Sequence, residues 1–360
     1  MSEGAIPAAQ DRPSISWSTP ARVRSTGNDG YVCSTKRASG GGSRRRSRRC
    51  AGSGRAMTPA ARWSRSTACS PRRWRAPGCP ACSVGATSLL PGISIVNHRT
   101  VEGKNAVIVG SRVAIALDCG ADAGDAEPAA ALFAASARAS RYLVLTHGHG
   151  DHAFGRGAFP GVDVIAHARC AAVIEREVGR ISGRTGAAVE EVRRRAAWPT
   201  IALDGGATID LGDELARLIP APGHSEDGLA LYLTGRRVLF AGDSAVTAIV
   251  PAIGDGNSAT LVATLGRLIG LEAEVLVPGH GEPVRGQDAV RAALLWIRSY
   301  LEGLRQLCAE ALARGDDPPH IVAMAAYDRF CGERFPVPHH DMPRRHRATV
   351  QKILIEMTER

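Results

Sequence analysis

Nowhere in the 360 residues does an apolar run reach 18, the length a membrane-spanning helix needs, so no such helix is expected. The first 85 residues are nearly without acid, with Glu3, Asp11 and Asp29 set against 16 Lys and Arg. Large apolar residues are also scarce there, and those present, such as Ile15, Trp17, Val32 and Trp63, follow no period. So little apolar surface cannot offset chain entropy, which predicts a disordered, basic, low-complexity segment over residues 1–87. Met1–Gln10 has neither a basic start nor an apolar stretch, which excludes a secretory signal. Cysteine forms no framework. Cys79-Pro-Ala-Cys82 has metal or redox spacing but no second pair follows it, and Cys119, Cys170, Cys308 and Cys331 are far apart. Reduced cysteines and a cytoplasmic location are the expectation.

The formal charge of +10 divides unevenly, with +13 in residues 1–85 and −3 in the remainder. The basic balance is therefore no argument that the globular part binds nucleic acid, and nucleic acid is not an expected partner. A basic arm would bind phosphates only through the leader. The bias to Arg, Ser, Ala, Gly and Pro stops abruptly near residue 86, so the leader is read as a non-native extension. A tryptic peptide from residues 1–56 in protein from the native source would contradict that.

Beyond residue 88 the pattern is that of a folded α/β chain. Strands are expected at Gly92–His98, Lys104–Val109, Arg112–Leu117, Arg141–Thr146, Val162–Ala166, Leu229–Leu233, Arg237–Phe240 and Glu274–Val277. Helices are expected at Glu127–Ala139, Arg169–Val178 and Ser258–Ile269, with a charged helical insert at Arg180–Trp198. A long helix at Gln287–Arg314 places Val290, Leu294, Ile297, Leu301 and Leu304 on one face and stops at Gly315. A last helix is expected at His346–Met357. Strands followed by alternating strands and helices, then the same order again, predict a layered α/β sandwich.

The chemistry sits at strand ends. The strand ending at Thr146 runs into His147-Gly148-His149-Gly150-Asp151-His152, four potential ligands in six residues spaced by glycine. Imidazole nitrogen and carboxylate oxygen together suit zinc, with iron or manganese as alternatives. Pro222-Gly223-His224, Gly242-Asp243 and Pro278-Gly279-His280 each follow an apolar segment in the same way. The seven side chains are enough for two divalent metals with one bridging carboxylate. His98, His167 and His320 show no partner pattern, and His339-His340-Asp341 lies among prolines and arginines, where a solvated loop is the simpler reading than a pocket lid.

The set His147-x-His149-x-Asp151-His152, His224, Asp243 and His280 resembles the metallo-β-lactamase superfamily, in its glyoxalase II-like metallo-hydrolase branch. Asn105 and Asp118-Cys119-Gly120 add to the resemblance. It implies a four-layer αββα sandwich, with a metal-binding domain at 88–285 and a helical extension at 286–360 packed on the same domain. It further implies that His147, His149 and His224 hold one metal, that Asp151, His152 and His280 hold the other, and that Asp243 bridges them. Asp243 argues against a β-lactamase, since those members carry Cys or Ser at that place. No inserted domain between Asp243 and His280 suggests a nuclease.

The implied activity is that of a dinuclear metal-dependent hydrolase of small molecules. In it a metal-bridging hydroxide attacks an ester, thioester or lactone carbonyl, and Asp151 acts as the catalytic carboxylate. The alternative is a mononuclear iron persulfide dioxygenase built on the same motif.

Overall fold

In the computed structural model, residues 15–17, 85–99 and 102–359 are described, and residues 85–359 belong to one compact unit. Fourteen strands among these residues, numbered along the chain, form two seven-stranded sheets. The first sheet runs β2 (Ala86–Leu90), β3 (Ile93–Asn97), β4 (Lys104–Val109), β5 (Val113–Leu117), β6 (Ser140–Val144), β7 (Asp163–His167) and β8 (Ile201–Leu203). Its first four strands pair antiparallel, and β5 to β8 pair parallel. The second sheet runs β1 (Ile15–Trp17), β9 (Ala207–Asp210), β10 (Leu215–Pro220), β11 (Leu229–Leu233), β12 (Val238–Phe240), β13 (Val275–Val277) and β14 (Val284–Arg285).

Side-chain alternation decides the layering. In β5, Val113, Ile115 and Leu117 turn to the second sheet, while Ala114 and Ala116 turn outward. In β11, Leu229, Leu231 and Leu233 face the first sheet, while Ala230 and Tyr232 face away. The strands thus bury both faces, as sheets covered on both sides must. On the outer face of the first sheet lie α1 (Ala123–Ala135), α2 (Cys170–Thr185) and α3 (Val189–Arg195), with Phe133, Ile174, Val178 and Val192 against Leu143 and Val164. On the outer face of the second lie α4 (Ser258–Ile269) and α5 (Gln287–Arg314), with Leu265, Leu294 and Leu301 against Leu239 and Leu276. α6 (Pro318–Met324), α7 (Tyr327–Cys331) and α8 (Met342–Thr358) complete that layer through Ile321, Cys331, Val350 and Ile353. The result is the expected αββα sandwich.

Several expectations need correction. The segment expected to be disordered, 1–87, is described only at Ile15–Trp17, which form β1, and from Gly85, just before β2 begins; the rest of it lies outside the described residues. Ile15–Trp17 pairs antiparallel with the open edge of β9, whose unpaired backbone groups are a demand that composition does not report. α1 begins four residues before its expected start, because the Asp122 carboxylate accepts from the Asp125 N–H and caps an earlier turn. The charged insert is not one helix. Gly186, at φ 73°, ends α2, and α3 starts afresh at Val189. Among the described residues no helix is long and apolar enough to cross a membrane, and Cys119, Cys170, Cys308 and Cys331 are buried and free of disulfides.

Candidate metal centre

Every ligand candidate sits just past the end of a strand. His147–His152 is the loop after β6, His224 follows β10, Asp243 lies in a 3₁₀ turn after β12, and His280 follows β13. These are the ends of central strands of both sheets, so the sandwich brings seven residues, up to 133 positions apart in sequence, to one place. All seven come together. Three groups have ligand atoms within 4.8 Å of one another: His147, His149 and His224; His147, His152 and Asp243; and Asp151, His152 and His280. Asp243 lies between the first and last groups, its oxygens 3.5 Å from His224 Nε2 and 3.4 Å from the Nε2 atoms of His152 and His280.

Surrounding acceptors fix which nitrogen of each ring faces inward. Asp118 accepts from His152 Nδ1 at 2.9 Å and from both the N–H and the hydroxyl of Thr146 at 2.7 Å. The Thr146 oxygen, its own proton committed to Asp118, is left to accept from His147 Nδ1 at 3.1 Å. The Ala252 carbonyl accepts from His224 Nδ1 at 2.8 Å, and Asp255 takes His149 Nε2 at 3.1 Å. The inward atoms are therefore His147 Nε2, His149 Nδ1, His152 Nε2 and His224 Nε2. Of these, His147 Nε2 and His152 Nε2 are buried with no hydrogen-bond partner, as is Asp243 Oδ1. Buried polar atoms without a partner are costly unless something else satisfies them. Five imidazoles and two carboxylates converging in this way fit divalent cations, whose ligating histidines commonly donate their other N–H to a carboxylate or carbonyl.

The charges are strongly coupled. Burial alone would push the Asp151 and Asp243 carboxyls up, but the imidazoles of His152 and His280 hold both well below the usual carboxylate range. Conversely, burial would push His280 down, and Asp243 and Asp151 carry it up to about 10. His152 is raised well above its ordinary value against burial, by Asp151, Asp243 and Asp118. His147 and His224 are held down, by burial first.

Sequence reasoning missed the supports and one ring. Asp255 and Asp227 belong to segments that drew no attention. Asp227 accepts from the Gly148 N–H at 2.8 Å and from the Ser225 hydroxyl, clamping the ligand loop. His98, passed over for want of a pattern, is buried with ring centroids 6.3 Å from His152 and 6.4 Å from His280. Its pKa is pushed down to about 4 by burial and then by His152. Among the described residues, His167, His320 and His339 take no part in a ligand group, and His167 Nδ1 accepts from the Arg169 N–H instead.

The sequence model of the Metallo-beta-lactamase superfamily matches residues 99–280, about half of the chain. A hydroxyacylglutathione hydrolase of Gloeobacter violaceus is 31% identical over 136 residues, 37% of this chain and 45% of that protein. The acyl-coenzyme A thioesterase MBLAC2 of Homo sapiens is 30% identical over 179 residues, 45% of this chain and 63% of that protein. The chain thus spans less than two thirds of these curated relatives. A metallo-beta-lactamase family protein from Thermus thermophilus shares the fold with a TM-score of 0.54 at 21% identity, covering 76% of this chain and 95% of that one.

Proposed function

The chain belongs to the metallo-beta-lactamase superfamily, and we propose that it is a hydrolase of small thioesters that works with two divalent cations, ester and lactone carbonyls being the related substrates. One observation carries this reading: seven His and Asp side chains turn their inward nitrogens and oxygens into a shared space, in overlapping groups of three. In this reading His147, His149 and His224 hold one cation, Asp151, His152 and His280 hold the other, and Asp243 reaches both. Zinc suits the nitrogen-rich donor set best, with iron or manganese as alternatives. Cations held there lower the pKa of water towards neutrality and polarise the carbonyl under attack.

The chain's own residues do the rest. Asp151 is the most exposed of the seven, with 28% of its side chain accessible, and the neighbouring imidazoles keep it ionised. It is the carboxylate placed to take the proton of the attacking water and return it to the leaving thiolate. Asp118, Asp255 and the Ala252 carbonyl hold the rings of His152, His149 and His224 in register. The relatives' names support the thioester: a hydroxyacylglutathione hydrolase and an acyl-coenzyme A thioesterase both release an acyl group from a thiol. A cytoplasmic setting belongs to the same reading and accords with the four free buried cysteines.

The test is a panel of acyl-glutathione and acyl-coenzyme A thioesters, lactones and simple esters, given to the full chain with its metal content measured. Turnover of thioesters above the others is the expected result. Two cations per chain with no thioester turnover would overturn the substrate assignment.

A further inference from the structure

A groove of about 910 Å³ lies between α6 and α8, and none of the seven ligand candidates lines it. Its volume falls within the range of small-molecule sites, about 300–1,000 Å³. The walls are mostly apolar: Pro318, Pro319 and Val322 come from α6, and Leu354 and Ile355 from α8. Ile355 stays 46% exposed there, whereas Val350, Ile353 and Leu354 of the same helix are buried.

Helical spacing accounts for the lining. Arg347, Gln351, Ile355 and Thr358 are four, four and three residues apart, so they form one stripe of α8 along the groove. The core-facing stripe of Val350, Ile353 and Leu354 runs beside it. Most side-chain polar groups of the lining are already engaged. His346 Nε2 donates to the Ala325 carbonyl at 2.6 Å, and its Nδ1 accepts from the Tyr300 hydroxyl at 2.9 Å. The Tyr327 and Thr358 hydroxyls donate to the Phe335 and Leu354 carbonyls, at 3.2 and 3.0 Å. Arg347 and Gln351, one turn apart, differ: neither has a hydrogen-bond or ion-pair partner among the described residues. The neighbouring arginines are committed, Arg344 to Asp341 at 2.6 Å and Arg345 to the His340 carbonyl at 3.1 Å.

We propose that this groove is a binding site for a free carboxylate that carries an aliphatic chain. The carboxylate takes donors from Arg347 and Gln351, and the chain lies on Val322, Leu354, Ile355 and the two prolines. A guanidinium only donates, in a planar fork that matches a carboxylate, so an anionic head answers it and a neutral head does so poorly. The apolar walls select the chain by the area it removes from water. An acid of this kind is also what thioester hydrolysis releases, but the site stands on α6 and α8 alone and its test needs no turnover.

The probes are octanoate, 1-octanol, which has the chain without the charge, and butyrate, which has the charge with little chain. Titration calorimetry measures each against the metal-loaded full chain, in the natural protein, in Arg347→Met and in Ala323→Phe, which narrows the groove from α6. Octanoate should bind once per chain, about tenfold tighter than either of the others. Arg347→Met should bring octanoate down to the level of octanol, and Ala323→Phe should weaken both, with each variant folded by circular dichroism. Equal affinity for octanoate and octanol in the natural protein would overturn the proposal, as would no binding at all. Octanoate binding unchanged in both variants would place the acid elsewhere, at the metal centre for instance, and overturn it too. A dimer that Ala323→Phe dissociates and octanoate does not would make the groove an interface between copies instead, with the same consequence.

Discussion

The Asp118 carboxylate lies 2.9 Å from Nδ1 of His152, and its two oxygens also take both donors of Thr146. One side chain at the end of β5 therefore fixes the start and the end of the ligand loop that follows β6. Because a carboxylate only accepts, His152 must carry its proton on Nδ1, which leaves Nε2 free for a cation. Asp118 holds this position at φ 57°, a conformation uncommon for any residue but glycine and tolerated by Asp and Asn.

Replacing Asp118 by Asn keeps the shape and the backbone tolerance but lets an amide donate towards His152. Metal affinity should drop about 10- to 100-fold, as it does when an outer partner of a ligating histidine is changed. Competition against a coloured chelator reads this directly. Unchanged affinity would show that Asp118 does not set the ring's tautomer.

A Cβ at Gly279 would stand 2.0 Å from Asp243 Oδ1 and within 3 Å of the Gly242 and Asp243 backbone. Gly279→Ala should displace the carboxylate that reaches both ligand groups, at about 1–3 kcal/mol of stability. The expected outcome is a folded protein by circular dichroism that binds less than the natural complement of metal. Full metal content in this variant would mean that Asp243 can move without consequence.

Much of this site was legible in the sequence, for a local reason. Glycine spacing between His147, His149 and Asp151 concentrates four candidate ligands in one loop, and a short apolar run before each of His224, Asp243 and His280 marks a strand end. The supports were not legible. Asp255 meets His149 across 106 residues and Asp227 meets Gly148 across 79, with no motif to announce either. His98 is joined to the site by folding alone. In the fold, long periodic elements such as α4 and α5 were found to the residue, whereas β8 and β14, of three and two residues, are too short to show alternation.

In the metal-free protein His280 has its pKa carried up to about 10, and His152 is raised as well. A cation needs the lone pair of both rings, so binding near pH 7 should expel protons, on the order of two per chain. Calorimetry in buffers of different ionisation enthalpy counts them, and a count of zero would contradict the coupling. A histidine raised from 6.5 to about 10 stabilises the fold fully below pH 6.5, and that contribution is lost as pH rises through 10. The metal-free protein should therefore unfold at falling temperature across that window, and the metal-loaded protein should not follow it.

Asp151→Ala should cost about 10²- to 10⁴-fold in turnover, the usual contribution of a positioned acid or base, with the fold intact by near-ultraviolet dichroism. Its effect should fall on kcat more than on KM. Turnover equal to that of the natural protein would remove Asp151 from the chemistry.

Elemental analysis of the full chain, purified without chelators, shows whether one site holds two cations. About two divalent ions per chain, zinc foremost, is the predicted result, and Asp243→Ala should lower both together rather than one. A single iron per chain, accompanied by oxygen uptake with a persulfide, would contradict the account and turn the same residues over to dioxygenase chemistry.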